Sequence, residues 1–301
     1  MGLVRIDAGP QGLTWHDTGQ PALPGLARTA RGTGPVVIMI HGFTFAPGDP
    51  RHCPHRHILS DHDRHPCWKA ASWPRALGLT GDGALGIAFG WQARGTIWQA
   101  YTEAGRAGLA LARLIAELRR VAPERPVRLI AHSLGARVAL SALPHLARGA
   151  VDRTLLLTPA ERLDLASAAL ASEAGRSAGV VTVASSENRL YEQLLRAALP
   201  ATPVVTAEGI PGGRTLRIDD DVTLGALARL GHPVAPRSRR SCHWSSYLRP
   251  GLFDLYRALL SAETPLPLAA LGPVGTPETD PQPLHIWPAP GRAIPSAAHA
   301  S

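Results

Sequence analysis

From residue 35 onward the chain alternates short, largely apolar runs with longer stretches in which apolar residues recur every three or four positions. Residues 36–40 (VVIMI), 84–89, 127–131, 154–157 and 180–184 are runs of the first kind, bounded by Gly, Pro or polar residues. Such runs suit strands covered on both faces. Residues 215–218 are a weaker strand candidate. Residues 96–120 are of the second kind. Ile97, Tyr101, Ala104, Gly108, Leu111, Ile115 and Leu118 step by three and four, and Arg119 and Arg120 suit a helix carboxyl end. Shorter helices are expected over 136–146, 163–174, 190–199 and 252–260. Strands alternating with helices at this spacing predict an α/β fold: a mainly parallel central sheet with helices on both faces. Active sites of such sheets lie at the carboxyl ends of the strands.

The remaining segments read differently. Residues 1–34 are interrupted by Gly9-Pro10, Gly19, Pro21, Pro24-Gly25 and Gly32-Thr33-Gly34, and are expected to be irregular apart from a short strand near 3–6. Residues 44–80 form a long segment rich in His, Pro, Asp, Cys and Trp. Loops beyond about 12–15 residues are usually functional or disordered. Ile58, Leu59, Trp68, Trp73 and Leu77 are expected to anchor this one over the site. Beyond 263 the chain is Pro/Ala-rich with no apolar period, the composition of a disordered tail. The domain is thus expected to span 35–262.

The stretch that carries chemistry is Val127-Arg128-Leu129-Ile130-Ala131-His132-Ser133-Leu134-Gly135. It reads as a buried strand, a sharp turn bearing one serine, and a helix. A serine there is exposed at the strand's carboxyl end. It also sits at a helix amino end, whose free N–H groups favour developing negative charge. The pattern is G-x-S-x-G with Ala131 at the first glycine, the nucleophile elbow. Here the chain resembles the α/β-hydrolase superfamily, in particular its lipase- and esterase-like members. The resemblance covers roughly residues 35–260, and further anchors lie at His41-Gly42 and His243.

That resemblance implies a serine nucleophile, Ser133, with a histidine base and an orienting carboxylate in the chain order Ser, Asp/Glu, His. His243 lies late in the chain before the last predicted helix and fits the base. His232 and His145 are weaker rivals. The acid should follow the strand two after the elbow strand. Ser185-Ser186-Glu187-Asn188 follows it, so Glu187 is the expected acid, with Asp219, Asp220 and Asp221 as alternatives; the family more often uses Asp. The N–H groups of Leu134 and Phe43 would form the oxyanion hole, and His132 and Trp244 are candidates for the substrate pocket. The short segments between the elbow and His243 leave no room for a large helical cap. The implied reaction is ester hydrolysis through an acyl-enzyme on Ser133. A thioesterase or acyltransferase would use the same triad, and a binding protein could keep the scaffold without turnover.

Composition adds limits. The 301 residues carry 31 Lys and Arg against 23 Asp and Glu, a formal charge of +8, with Lys69 as the one lysine. The arginines are scattered; Arg237, Arg239 and Arg240 make the densest short cluster. A nucleic-acid footprint needs a stripe or patch, so no nucleic-acid partner is expected. No run approaches 18 apolar residues, the length that would suggest a membrane span, and no basic start leads into an apolar run of the secretory kind. A cytoplasmic protein acting on small-molecule esters is expected, its oligomeric state open. Cys53, Cys67 and Cys242 are too few for a disulfide scaffold. Cys53, His55, His57, Asp61, His62, Asp63, His65 and Cys67 are residue types that zinc accepts, but their spacing matches no standard finger. No metal and no cofactor is expected.

Overall fold

The computed structural model describes residues 2–62, 67–81, 83–199, 202–261 and 265–271. Among them eight strands form one sheet: β1 (Leu3–Gly9), β2 (Gly12–Trp15), β3 (Val36–Ile40), β4 (Leu85–Trp91), β5 (Val127–His132), β6 (Arg153–Leu157), β7 (Val180–Ala184) and β8 (Arg214–Arg217). Their order is β2-β1-β4-β3-β5-β6-β7-β8. The β1–β2 pair is antiparallel and every other pairing is parallel. The helices are α1 (Leu26–Thr29), α2 (Trp73–Ala76), α3 (Ile97–Val121), α4 (Leu134–Ala142), α5 (Leu163–Ala171), α6 (Arg189–Ala198), α7 (Asp221–Arg229), α8 (Ser245–Leu248) and α9 (Leu252–Leu260). This is the mainly parallel sheet expected from the alternation, and the α/β-hydrolase fold that the resemblance implies.

Strand β3 shows why its run is apolar throughout. Successive side chains point to opposite faces of a strand. Val36, Ile38 and Ile40 join a core with residues of α1, α3, α4 and α5. Val37 and Met39 join a second core with residues of α2, α7, α8 and α9. Both faces are covered, so no position can be polar without loss. The long α3 begins at Thr96, whose hydroxyl accepts the Gln99 N–H while the Gln99 side chain reaches back to the Thr96 N–H, a capping box. It packs closely on α4: a Cβ at Gly108 would lie 2.5 Å from Ser141 Cβ.

The first 34 residues are more ordered than expected. Residues of β1 pair on both sides, Ile6 with Phe89 of β4 and with Trp15 of β2. The turn at 30–34 is gathered by the buried Arg125 guanidinium, which donates to the carbonyls of Gly34 (2.6 Å), Ala30 and Arg31 (both 2.9 Å). Within 44–80, Ile58, Leu59, Trp73 and Leu77 are buried as expected, but Trp68 is 57% exposed. Beyond 263, Leu266, Leu268 and Leu271 pack against the second core, and Arg153 donates to the Leu266 carbonyl at 2.5 Å. The expected tail at 272–301 lies outside the described residues.

Candidate active site

Ser133 joins β5 to α4 at φ 55° and ψ −123°. That backbone is costly for a residue with a Cβ, of order 1–3 kcal/mol. Its surroundings hold it. The Ser133 N–H donates to the Leu157 carbonyl (3.0 Å), and its own carbonyl accepts from Ala136 (3.0 Å) and Ala160 (3.1 Å). Gly135 is required by the close crossing of α4 over the end of β3: a Cβ there would lie 2.5 Å from the His41 oxygen. The non-glycine residues with positive φ among the described residues are Thr44 (78°), Ser133 (55°) and Thr158 (41°). They follow β3, β5 and β6, three adjacent strands, at their carboxyl ends. Strain is therefore concentrated around one spot.

The loop after β3 closes on that spot. A Cβ at Gly42 would lie 2.9 Å from Ser133 Cβ and 2.9 Å from the His132 oxygen. His41, fully buried, accepts the Trp91 N–H at Nε2 (3.1 Å) and donates from Nδ1 to the Gly42 carbonyl (2.9 Å). Burial pushes its pKa down to about 3, so the ring is neutral and its tautomer is fixed by these two bonds. A trans peptide points its N–H away from its C=O. Holding the Gly42 oxygen therefore also sets the direction of the Phe43 N–H. No described group accepts the N–H of Phe43 or of Leu134.

His243 approaches from the other side. Its ring centroid is 4.6 Å from that of His132, and its carbonyl accepts from His132 Nε2 at 3.1 Å. The contact runs through His132, the neighbour of Ser133; among the described residues no hydrogen bond joins the Ser133 hydroxyl to the His243 ring. Tyr191 stacks on His243 at 4.4 Å and 20°. Burial, then the charges of His132 and Lys69, hold the His243 pKa well below the usual histidine value. His132 is likewise lowered by burial, to about 4.

The group that meets His243 is not the expected one. Its Nδ1 lies 2.7 Å from Oδ1 of Asn188. Glu187 instead turns into the interior, where its carboxylate pairs with Arg249 and accepts from Ser185 (3.2 Å). Its backbone oxygen accepts from Cys242 (2.9 Å), tying the 185–188 loop to the segment that carries His243. The physical reason is the short 3₁₀ turn Ser186–Asn188. Successive side chains on such a turn diverge by about 120°, so Glu187 and Asn188 cannot face the same partner. Asp219 accepts the Ser186 N–H (2.7 Å), and Asp220 caps α7 through Thr223 (2.8 Å). Asp221 opens α7. None of the three is hydrogen-bonded to His243.

Sequence reading missed two further groups. Glu161 is buried, accepts twice from Arg137 (2.9 and 2.8 Å), and is bonded by the Tyr101 hydroxyl. Burial raises its pKa even against Arg137. Arg137 lies one turn past Ser133 on α4, so this cluster pins the elbow helix to α3. Glu192, one helical turn beyond Asn188, accepts from the Asn188 Nδ2 at 3.4 Å. Spacing of i, i+4 on a predicted helix was the available signal.

Trp244 meets Trp68 edge-on at 5.7 Å, and Lys69 lies 3.7 Å above its ring. The long loop thus reaches the His243 segment. The described metal-type residues of that loop form no group of three or more among themselves. Among the described residues the one grouping of that kind is Asp7, His16 and His55. Asp7 there takes His55 Nε2 and His16 Nδ1 at 2.7 Å each. Burial raises its pKa, but these hydrogen bonds and charges outweigh it and the net shift is downward. Asp63 and His65 lie outside the described residues. The three cysteines are free thiols.

A model of the family described as "Alpha/beta hydrolase of unknown function (DUF900)" matches residues 28–188. No curated protein matches the sequence. Among solved structures, an acetyl xylan esterase is similar over 44% of this chain and 66% of its own, at 11% identity and a TM-score of 0.31. An esterase from Thermogutta terrifontis is similar over 62% and 72%, at 12% identity and TM-score 0.30. A Trichoderma reesei cutinase bound to a phosphonate inhibitor is similar over 46% and 59%, at 16% identity and TM-score 0.26.

Proposed function

For a chain that belongs to DUF900, a family of alpha/beta hydrolases of unknown function, we propose the hydrolysis of small-molecule carboxylic esters through an acyl-enzyme on Ser133. The observation that carries this reading is the strained serine itself. It stands at φ 55° on a strand-to-helix turn, with Gly42 against its Cβ and the His243 loop against its neighbour His132. In this reading His243 Nε2 takes the hydroxyl proton as Ser133 Oγ attacks the ester carbonyl. The N–H groups of Phe43 and Leu134 hold the oxyanion, such donors being worth about 3 kcal/mol each. The same imidazole returns its proton to the leaving alcohol and then activates water to free the acid. Asn188, not Glu187, is the third member: its Oδ1 accepts from Nδ1–H and so leaves Nε2 as the base.

An amide in that position also favours a second reading, a hydrolase scaffold used for binding alone, because it offers no charge to offset the imidazolium. A fluorophosphonate probe separates the two. Covalent labelling at Ser133, absent from Ser133→Ala, is expected for the esterase; a chain that never labels is a binding protein. A panel of p-nitrophenyl esters of increasing acyl length then tests Trp244 and His132 as the proposed substrate-pocket residues.

A further inference from the structure

An asparagine beside a histidine faces a choice that an aspartate does not. Its side chain ends in an acceptor on one side and a donor on the other. If Oδ1 faces His243, Nδ1 must carry the proton and Nε2 is left as the base. If Nδ2 faces His243, Nδ1 must accept, the proton moves to Nε2, and the base is lost. This is the way an amide at this position can fail, by selecting the wrong tautomer.

The surroundings of Asn188 remove the choice. Its Nδ2 lies 3.4 Å from Oε1 of Glu192. Burial raises the Glu192 pKa, while the Asn188 hydrogen bond and the charges of Arg196, Arg189 and Arg217 favour the charged form. In that form the carboxylate is an acceptor only, so that contact admits the amide N–H₂ and rejects the amide oxygen. Reversing the amide would set Oδ1 against the Glu192 carboxylate and leave two acceptors facing one another. Asn188 opens α6 and Glu192 follows on its first turn, an i, i+4 pair that the helix brings together at no cost in chain entropy. The Tyr191 ring, stacked on His243 from the intervening position, keeps the imidazole from rotating away.

We propose that Glu192 is a positioning residue for His243: by accepting the Asn188 N–H it fixes which end of the amide faces the imidazole, and hence which ring nitrogen is free to take a proton. The arrangement is a relay of four, Ser133, His243, Asn188 and Glu192, in which the carboxylate sits one residue further out than in a triad. Its catalytic readout rests on the esterase reading above; its tautomer readout does not.

The test is a pair of substitutions in two backgrounds. Glu192→Leu is expected to lower kcat by about ten- to a hundredfold, up to the lower end of general-base effects, with KM changed by less than about twofold. Glu192→Gln keeps an acceptor and is expected to recover most of that loss. In an Asn188→Asp background the sign reverses, because an aspartate needs no orienting and Glu192 would only repel it. There Glu192→Leu is expected to leave kcat unchanged or raise it. A purely structural role would lower kcat alike in both backgrounds, and that result, or no loss in the Asn188 enzyme, overturns the proposal. Nitrogen-15 imidazole shifts give the second arm. His243 is expected as the Nδ1–H tautomer in the parent and to gain the Nε2–H form in Glu192→Leu. An unchanged tautomer overturns the proposal even if Ser133→Ala shows that turnover never depended on the serine.

Discussion

Oδ1 of Asn188 receives Nδ1 of His243 at 2.7 Å, in the place where a hydrolase of this fold offers a carboxylate. With Oδ1 turned to the ring, the amide holds the same Nδ1–H tautomer that a carboxylate would. It differs in carrying no charge, so the imidazolium of the proposed acylation would be poorly compensated. Several measurable consequences follow from that difference.

Asn188→Asp is expected to raise kcat/KM by about tenfold or more on a short p-nitrophenyl ester, since a charged partner stabilises the protonated base. Combined with Glu192→Gln the gain should be larger, because the new carboxylate then has no like charge beside it. Steady-state kinetics of the two variants check both statements.

The pH profile of the parent should be displaced to the acid side. A base works when neutral, and burial and the charges of His132 and Lys69 hold His243 below the ordinary histidine value. Its acid limb should therefore fall below pH 6.5. Asn188→Asp should move that limb to higher pH. An acid limb at or above the ordinary histidine value in the parent would contradict the assignment of His243.

Stability should run the other way. His41 and His132 are buried neutral, with pKa values lowered from 6.5 to about 3 and about 4. Unfolding releases both to their ordinary value, so the unfolded chain binds more protons between those limits. Stability is therefore full above about pH 6.5 and is lost as pH falls toward 4 and 3. Thermal melts across this range should show a falling Tm, with a shallower slope in His132→Gln.

Glu187 should act on the fold. Glu187→Ala leaves the Arg249 guanidinium buried without its carboxylate, which costs about 3–5 kcal/mol for such pairs. Denaturant melts should register that loss. The folded fraction should keep kcat within about tenfold of the parent, whereas Asn188→Ala should lose more activity than stability.

Gly42→Ala tests the closure of the first loop. The added methyl would sit 2.9 Å from Ser133 Cβ, so the 41–43 loop must withdraw and take the Phe43 N–H with it. A loss of kcat of about a hundredfold is expected for one misplaced oxyanion donor, with fluorophosphonate labelling slowed in proportion.

The sheet was largely legible because its strands are buried on both faces. Val36–Ile40 is apolar at every position and Val180–Ala184 at all but Thr182, and such runs stand out from any neighbour. Strand β1 was harder to read, since Arg5 and Asp7 are partly exposed and interrupt its apolar residues. Helix α7 is short and carries Val222 outward at 77% exposure, so its period is blurred. At the site, the elbow and the two histidines follow from motif and chain order. The acid position does not. Glu187 and Asn188 are adjacent in sequence, and only the handedness of a single turn decides which one looks at His243 and which at Arg249.

The three non-glycine residues held at positive φ bear on how this molecule tolerates change. Thr44 and Thr158 flank Ser133 at the ends of neighbouring strands, and glycine would relieve either backbone at no steric expense. A library selected only for heat resistance would be drawn to these positions first, and would slacken the frame that keeps the serine upright. Robustness is better sought at the far rim of the sheet, where nothing reactive depends on tension.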